Sequence, residues 1–202
     1  MDDVYRHQRL IYDLTRKYYL LGRDHLIAEM SPRREDRILE LACGTGRNLS
    51  LIARRYPGRP LYGLDISEQM LATARRKLGG TATLAQGDAC TFDPVATFGP
   101  SEFDHIVLSY AISMIPDWRG AISHAVTMLA PGGTLQIVDF GDQARLPHWF
   151  ARALRDWLRR FHVAPRDGLL NMLDALKKQP PLTVHFCPLY RSYAQYARIT
   201  RS

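Results

Sequence analysis

The stretch Ile38-Leu39-Glu40-Leu41-Ala42-Cys43-Gly44-Thr45-Gly46-Arg47-Asn48 decides the fold. Its first half is short and apolar, as suits a strand of a parallel sheet covered on both faces. Two glycines then turn the chain directly into a helix. Gly44 and Gly46 allow backbone conformations closed to other residues and a close approach to a ligand. A nucleotide-like ligand would sit at the carboxyl end of this strand, beside a helix N-terminus. A dinucleotide fold calls for G-x-G-x-x-G. This chain instead has E-x-A-x-G-x-G, with Asn48 two places further on.

That spelling resembles motif I of the class I S-adenosylmethionine (SAM) methyltransferases. Two downstream features fit the resemblance. Leu61-Tyr62-Gly63-Leu64-Asp65 is a second strand ending in an acid, 21 residues after Gly44. An Asp at that point can accept both hydrogen bonds of a ribose diol. A third strand over 82–86 closes on Gly87-Asp88-Ala89, where the family's Asp and its neighbour hold the adenine edge. Singly, Asp65 also reads as a helix N-cap before Ser67-Glu68, and Asp88 as a turn residue. Three ligand-type signals on successive strand ends favour the joint reading.

The rest of the chain continues the alternation. The patterning predicts a long helical stretch over 4–29 with a break near Gly22, and a boundary at Ser31-Pro32. It then gives strand 37–42, helix 47–56, strand 61–65, helix 67–78, strand 82–86, strand 103–109, helix 118–129 and strand 133–139. Pro131-Gly132-Gly133 is read as the turn between the last two, and helices follow over 147–161 and 168–178. Leu182 to Tyr190 and Tyr193 to Ile199 read as a terminal hairpin. The expected fold is one α/β domain over 1–202. It is a doubly wound, Rossmann-like, seven-stranded methyltransferase sheet with an antiparallel C-terminal hairpin. An extra N-terminal lid helix spans 1–30, and a basic amphipathic helical insert spans 145–178.

Bulk numbers narrow the function classes. The chain has 202 residues, 46% of them apolar, enough for one full core. The longest apolar run, Ile106 to Ile115, is too short to span a bilayer, and Met1 to Arg6 lacks the apolar region of a signal peptide. Cys43, Cys90 and Cys187 have no metal-type spacing and read as reduced thiols of a cytosolic protein, with Cys43 beside the ligand loop. Residues 145–202 hold 11 Lys and Arg against 3 Asp and Glu, a net +8, while the first 144 residues carry −1. Such segregation points to an anionic target, a membrane surface or a nucleic acid.

The segment Arg145 to Phe161 sharpens the choice. Leu146, Phe150, Ala153, Leu154, Trp157, Leu158 and Phe161 form a helical stripe, with five arginines and one acid on the other sides. Basic helices rich in Trp and Phe lie readily in a lipid interface. The stripe would also serve to cover the sheet, and both hold if Trp149 and the arginines occupy the rim.

Tyr5, Tyr12 and Tyr19 recur every seven residues, so they share a helix face with about 20° of drift per heptad. They either pack on the sheet or face the reacting methyl group, where each ring would hold a cation for about 0.5–2 kcal/mol. Tyr110, just after the fourth strand, is a fourth candidate of this kind.

Together, Tyr5 to Asp24, Cys43 to Leu49 and the Leu146-Pro147…Trp149-Phe150…Trp157-Leu158…Phe161-His162-Val163 segment resemble the bacterial betaine-lipid N-methyltransferases. These enzymes methylate the amine of diacylglyceryl-homoserine three times. Phosphatidylethanolamine N-methyltransferases are the alternative within the same chemistry, and a small-molecule methyltransferase is a further one. A nucleic-acid methyltransferase fits less well, because Ser109-Tyr110-Ala111-Ile112 stands where an Asn/Asp-Pro-Pro-aromatic segment would be expected. A non-catalytic SAM-binding protein also shares the motif.

The resemblance implies SAM as cofactor, S-adenosylhomocysteine as product and no metal. It places Ala42, Cys43, Gly44, Gly46 and Asn48 near the methionine part and Asp65 on the ribose. Ile66 and Met70 would flank the adenine, Asp88 and Ala89 would read its edge, and Ser109 would sit below the sulfonium. Arg23 would pair with the methionine carboxylate. The implied setting is cytoplasmic and peripheral to an anionic membrane, with no nucleic-acid partner and room for a partner enzyme that supplies the homoserine lipid.

Overall fold

The computed structural model describes residues 20–161, 163–179 and 181–202. Within them, seven strands form one sheet in the order β3-β2-β1-β4-β5-β7-β6. The strands are β1 (Ile38–Leu41), β2 (Leu61–Asp65), β3 (Thr83–Gln86), β4 (Phe103–Ser109), β5 (Leu129–Phe140), β6 (Leu182–Leu189) and β7 (Ala194–Arg201). The first five pair in parallel, while β7 runs antiparallel to both β5 and β6. This is the expected doubly wound sheet. Its strand order reverses between β1 and β4, so a crevice opens at their carboxyl ends.

Seven helices are described: α1 (Arg23–Met30), α2 (Arg47–Arg55), α3 (Glu68–Leu78), α4 (Pro94–Phe98), α5 (Trp118–Thr127), α6 (His148–Arg159) and α7 (Leu169–Lys177). One sheet face packs on α1, α2, α3 and α6 through Leu26, Leu49, Leu71 and Leu158. The other packs on α5 and α7 through Ala121, Ile122, Leu169 and Leu173. β1 and nearly all of β4 are buried, which is why both read as continuous apolar runs.

Several boundaries differ from the sequence reading. Helix α1 starts only after Gly22, which is its N-cap at φ 91°, and residues 4–19 of the expected helical stretch lie outside the described residues. Helix α5 stops at Thr127 and β5 begins at Leu129, so Pro131-Gly132-Gly133 lies inside an interrupted strand. The β4–β5 register jumps there, from Phe103 opposite Leu129 to His105 opposite Thr134. A Cβ on Gly133 would come within 3.0 Å of the Phe103 carbonyl, so glycine is what lets the bulge close. Helix α4 was not anticipated, although Asp93-Pro94 signals it: the Asp93 carboxylate accepts from the Val95 and Ala96 amides, with Pro at the first turn.

Candidate functional site

A cavity of about 500 Å³ opens at the reversal point. Its walls come from the ends of β1, β2, β3 and β4 and from the helix starts that follow them. Arg23, Ala42, Cys43, Gly44, Asn48, Asp65, Ile66, Met70, Asp88, Ala89, Ser109 and Tyr110 all line it. Gly46 alone among the expected ligand-loop positions does not. Its φ is +69°, and a Cβ there would meet Leu78 Cδ1 at 2.9 Å and Ala74 Cβ at 3.1 Å. Gly46 is thus required by the packing of α2 against α3. Gly44, at φ +55°, has nothing within 4 Å of such a Cβ. Tyr5, Tyr12 and Tyr19 lie outside the described residues.

The two acids also have local tasks. Asp65 accepts the Gly44 amide on Oδ2 at 2.7 Å and the Ser67 amide on Oδ1 at 2.9 Å. It therefore ties the glycine loop to the start of α3, whose N-cap is Ser67 rather than Asp65. Each carboxylate oxygen keeps a second lone pair beyond these bonds, and Asp65 lines the cavity. Asp88 accepts the Cys90 amide at 2.8 Å, a side-chain turn that aims the 87–90 loop.

Tyr110 is held as a face rather than offered as a base. Its backbone is left-handed at φ 54°, and its hydroxyl donates to the Leu21 carbonyl. Its ring stacks edge-on to Phe140 at 4.8 Å, and the Arg23 guanidinium lies 5.5 Å from its centroid. Burial pushes the phenol well above its ordinary pKa. Burial likewise raises the Cys43 thiol, aided by the charges of Glu40 and Asp65.

Some lining residues were missed from the sequence. Glu40 opens the glycine motif and is almost wholly buried, yet its place on a strand hid its approach to the cavity. Arg47 and Thr45 follow the same loop. Met114, Ile115, Pro116 and Asp117 form a further wall after β4, and only the lack of apolar periodicity in Ile115-Pro116-Asp117 hinted at a loop. Arg166 braces that wall from outside, donating to the Ile112 and Ile115 carbonyls at 2.9 and 2.8 Å. Buried polar atoms with no hydrogen-bond partner also border the cavity: Glu40 Oε2, Arg47 Nη1, Asn48 Oδ1 and Ser109 Oγ. Orphaned groups of this kind in a cleft are suited to a polar ligand.

Comparison with known proteins agrees with this geometry. Residues 38–133 match a family model described as a methyltransferase domain. Demethylmenaquinone methyltransferase of Thermus thermophilus is 31% identical over 140 residues, covering 64% of this chain and 60% of that protein. Trans-aconitate 2-methyltransferase of Acidovorax sp. is 34% identical over 112 residues, covering 55% and 41%. The chain thus spans about 60% or less of the length of these curated relatives. Among solved structures, the plantazolicin methyltransferase BpumL, in complex with a triazolic desmethylPZN analog and SAH, superposes with a TM-score of 0.74. It is 14% identical and the match covers 98% of this chain and 90% of that one, a likeness of fold. Residues 38–133 thus match a methyltransferase domain, and the sheet built around them has the fold of a methyltransferase solved with SAH.

Proposed function

We propose that the protein transfers methyl groups from SAM to the amine of a membrane-lipid headgroup, with diacylglyceryl-homoserine as the first acceptor and phosphatidylethanolamine as the runner-up. Three observations support SAM as the ligand. Open space lies over Gly44, unpartnered polar atoms border one part of the cavity, and Asp65, Ile66, Met70 and Asp88 follow one another along the rest. Bound SAM supplies a methyl group already activated by its sulfonium. The chain has then to align and desolvate the two reactants. An amine brings its own lone pair and needs no strong base, and neither Tyr110 nor Cys43 is disposed to act as one.

The observation that carries the lipid assignment is the outer face of α6. Trp149 is 73% exposed, and Phe150 and Phe161 are exposed beside it. Arg152, Arg159 and Arg160 are exposed on the same helix and its end. Aromatic side chains flanked by arginines match a lipid interface, with about 1 kcal/mol per charge gained at an anionic leaflet. No helix among the described residues is long and apolar enough to cross a membrane, so the association proposed is peripheral.

Flotation with anionic and zwitterionic vesicles tests the surface, and mass spectrometry of lipid extracts after incubation with SAM tests the acceptor. The expected result is selective binding to anionic vesicles, lost in a triple Arg152→Gln, Arg159→Gln, Arg160→Gln variant, with mono-, di- and trimethylated headgroups formed. Vesicle binding indifferent to these charges, together with methylation only of a soluble acceptor, would overturn it.

A further inference from the structure

Residues 190–193 link β6 to β7, and Tyr190, Arg191 and Ser192 are all left-handed, at φ 51°, 57° and 64°. Residues with side chains enter that region only where their surroundings hold them there. The turn is held from beneath. The Ser192 carbonyl accepts the Gln143 amide and the Tyr193 carbonyl the Gly141 amide, each at 2.9 Å. The Tyr193 amide closes the turn on the Tyr190 carbonyl at 3.2 Å. A Cβ on Gly141 would strike the Ser192 carbonyl, so the two segments are pressed together. Ser192 and Tyr193 are buried against this support, while Tyr190 is 52% exposed and Arg191 is exposed beside it.

The same support seats α6. Arg155 donates to the Gln143 side chain and to the Asp142 carbonyl, so its side of α6 lies toward the turn. Arg152 and Arg159, three residues before Arg155 and four after it, share that side. On its other flank the turn meets the start of α1, where a Cβ on Gly22 would lie 3.7 Å from Tyr190 Cε2. The next residue, Arg23, lines the cavity. The turn therefore stands between the arginine side of α6 and the α1 wall of the cavity. We propose that Tyr190 and Arg191 are a second point of contact with an anionic lipid surface, setting the α1 wall of the cavity beside the leaflet. This rests on the membrane reading of α6 given above. A tyrosine next to an arginine suits the headgroup layer, the ring among the glycerols and the guanidinium on the phosphates.

Flotation with vesicles rich in phosphatidylglycerol tests the contact. Arg191→Gln should weaken wild-type binding about fivefold, as expected for one charge at an anionic surface. Tyr190→Ala should weaken it as well, and raised salt should erase the Arg191 difference while leaving the Tyr190 one. Hydrogen exchange of the wild-type protein needs no variant: the amides of 190–192 should slow several-fold on the vesicles, together with those at the start of α6. Folded variants that bind as tightly as wild type overturn the proposal while leaving the α6 reading intact. Turn exchange untouched by bound vesicles does the same. A wild-type protein that floats with no vesicle refutes the membrane reading itself, and this contact with it.

Discussion

Gly44 and Gly46 share a left-handed backbone but not a reason for it. Gly44 faces the open cavity, whereas a Cβ on Gly46 would strike Leu78 and Ala74. Gly44→Ala should cost the ligand-free protein about 1 kcal/mol of conformational strain, yet weaken S-adenosylhomocysteine binding tenfold or more, on the order of 1.4 kcal/mol. Gly46→Ala adds overpacking to strain and should lose about 2–4 kcal/mol in thermal or denaturant unfolding. Equal stabilities in the two variants would contradict this division. The motif was legible because spacing alone marks a strand-to-helix turn. The division was not, since a glycine needed for helix contact and one that lines an open cavity look alike in sequence. Glu40 makes a second case at this scale. Its folded pKa lies above the unfolded value of 4.5, so the fold prefers the protonated form and wild-type stability falls as pH rises from about 4.5 to 7. Glu40→Gln keeps the hydrogen bond from Asn48 without the charge. It should stabilise the ligand-free protein at pH 8 by up to about 3 kcal/mol and by almost nothing at pH 4, a difference that thermal melts across this range would resolve.

At the scale of the element, α6 was readable as a helix but not as two surfaces. The apolar stripe divides: Leu154 and Leu158 are buried one turn apart, Trp157 is half-buried, and Phe150, Ala153 and Phe161 face outward. Periodicity gives the direction of a stripe but not how wide a strip the sheet below can cover. The arginines divide in the same way. Arg155 donates to the Gln143 side chain at 3.1 Å and the Asp142 carbonyl at 2.7 Å, and lies 3.6 Å from Asp167. Arg152 and Arg160 are exposed. Arg155→Gln should therefore lower unfolding stability by about 1–2 kcal/mol. Arg152→Gln and Arg160→Gln should stay within about 0.5 kcal/mol of wild type. A stability loss shared equally by all three would mean that α6 is seated by overall charge instead of by that one side chain.

Across the whole molecule, the two ends of the strands divide the labour. The carboxyl ends form the cavity, while the amino ends are pinned by His105, whose ring bridges Asp36 at 3.2 Å and Thr134 at 3.0 Å. Burial holds its imidazole pKa below the ordinary value, against the pull of Asp36. The fold therefore favours the neutral ring, and this contribution to stability is lost as pH falls below the unfolded value of about 6.5. His105→Ala should cost about 2 kcal/mol at pH 8, with S-adenosylhomocysteine affinity within twofold of wild type. A large affinity loss would show that the two ends are coupled. Strand number and alternation could be read from composition, but the order 3-2-1-4-5-7-6 could not, because spacing does not say which strands become neighbours. The structure supplies that order. It also has a consequence for biosynthesis. β7 lies between β5 and β6 although it is translated after both. Until residues 194–201 leave the ribosome, one side of β5 has no partner for its hydrogen bonds, and β6 has nothing to pair with. The nascent chain therefore exposes a sticky margin from the completion of β5 until β7 emerges, and closes it with a long-range pairing, the step at which chaperone dependence should concentrate.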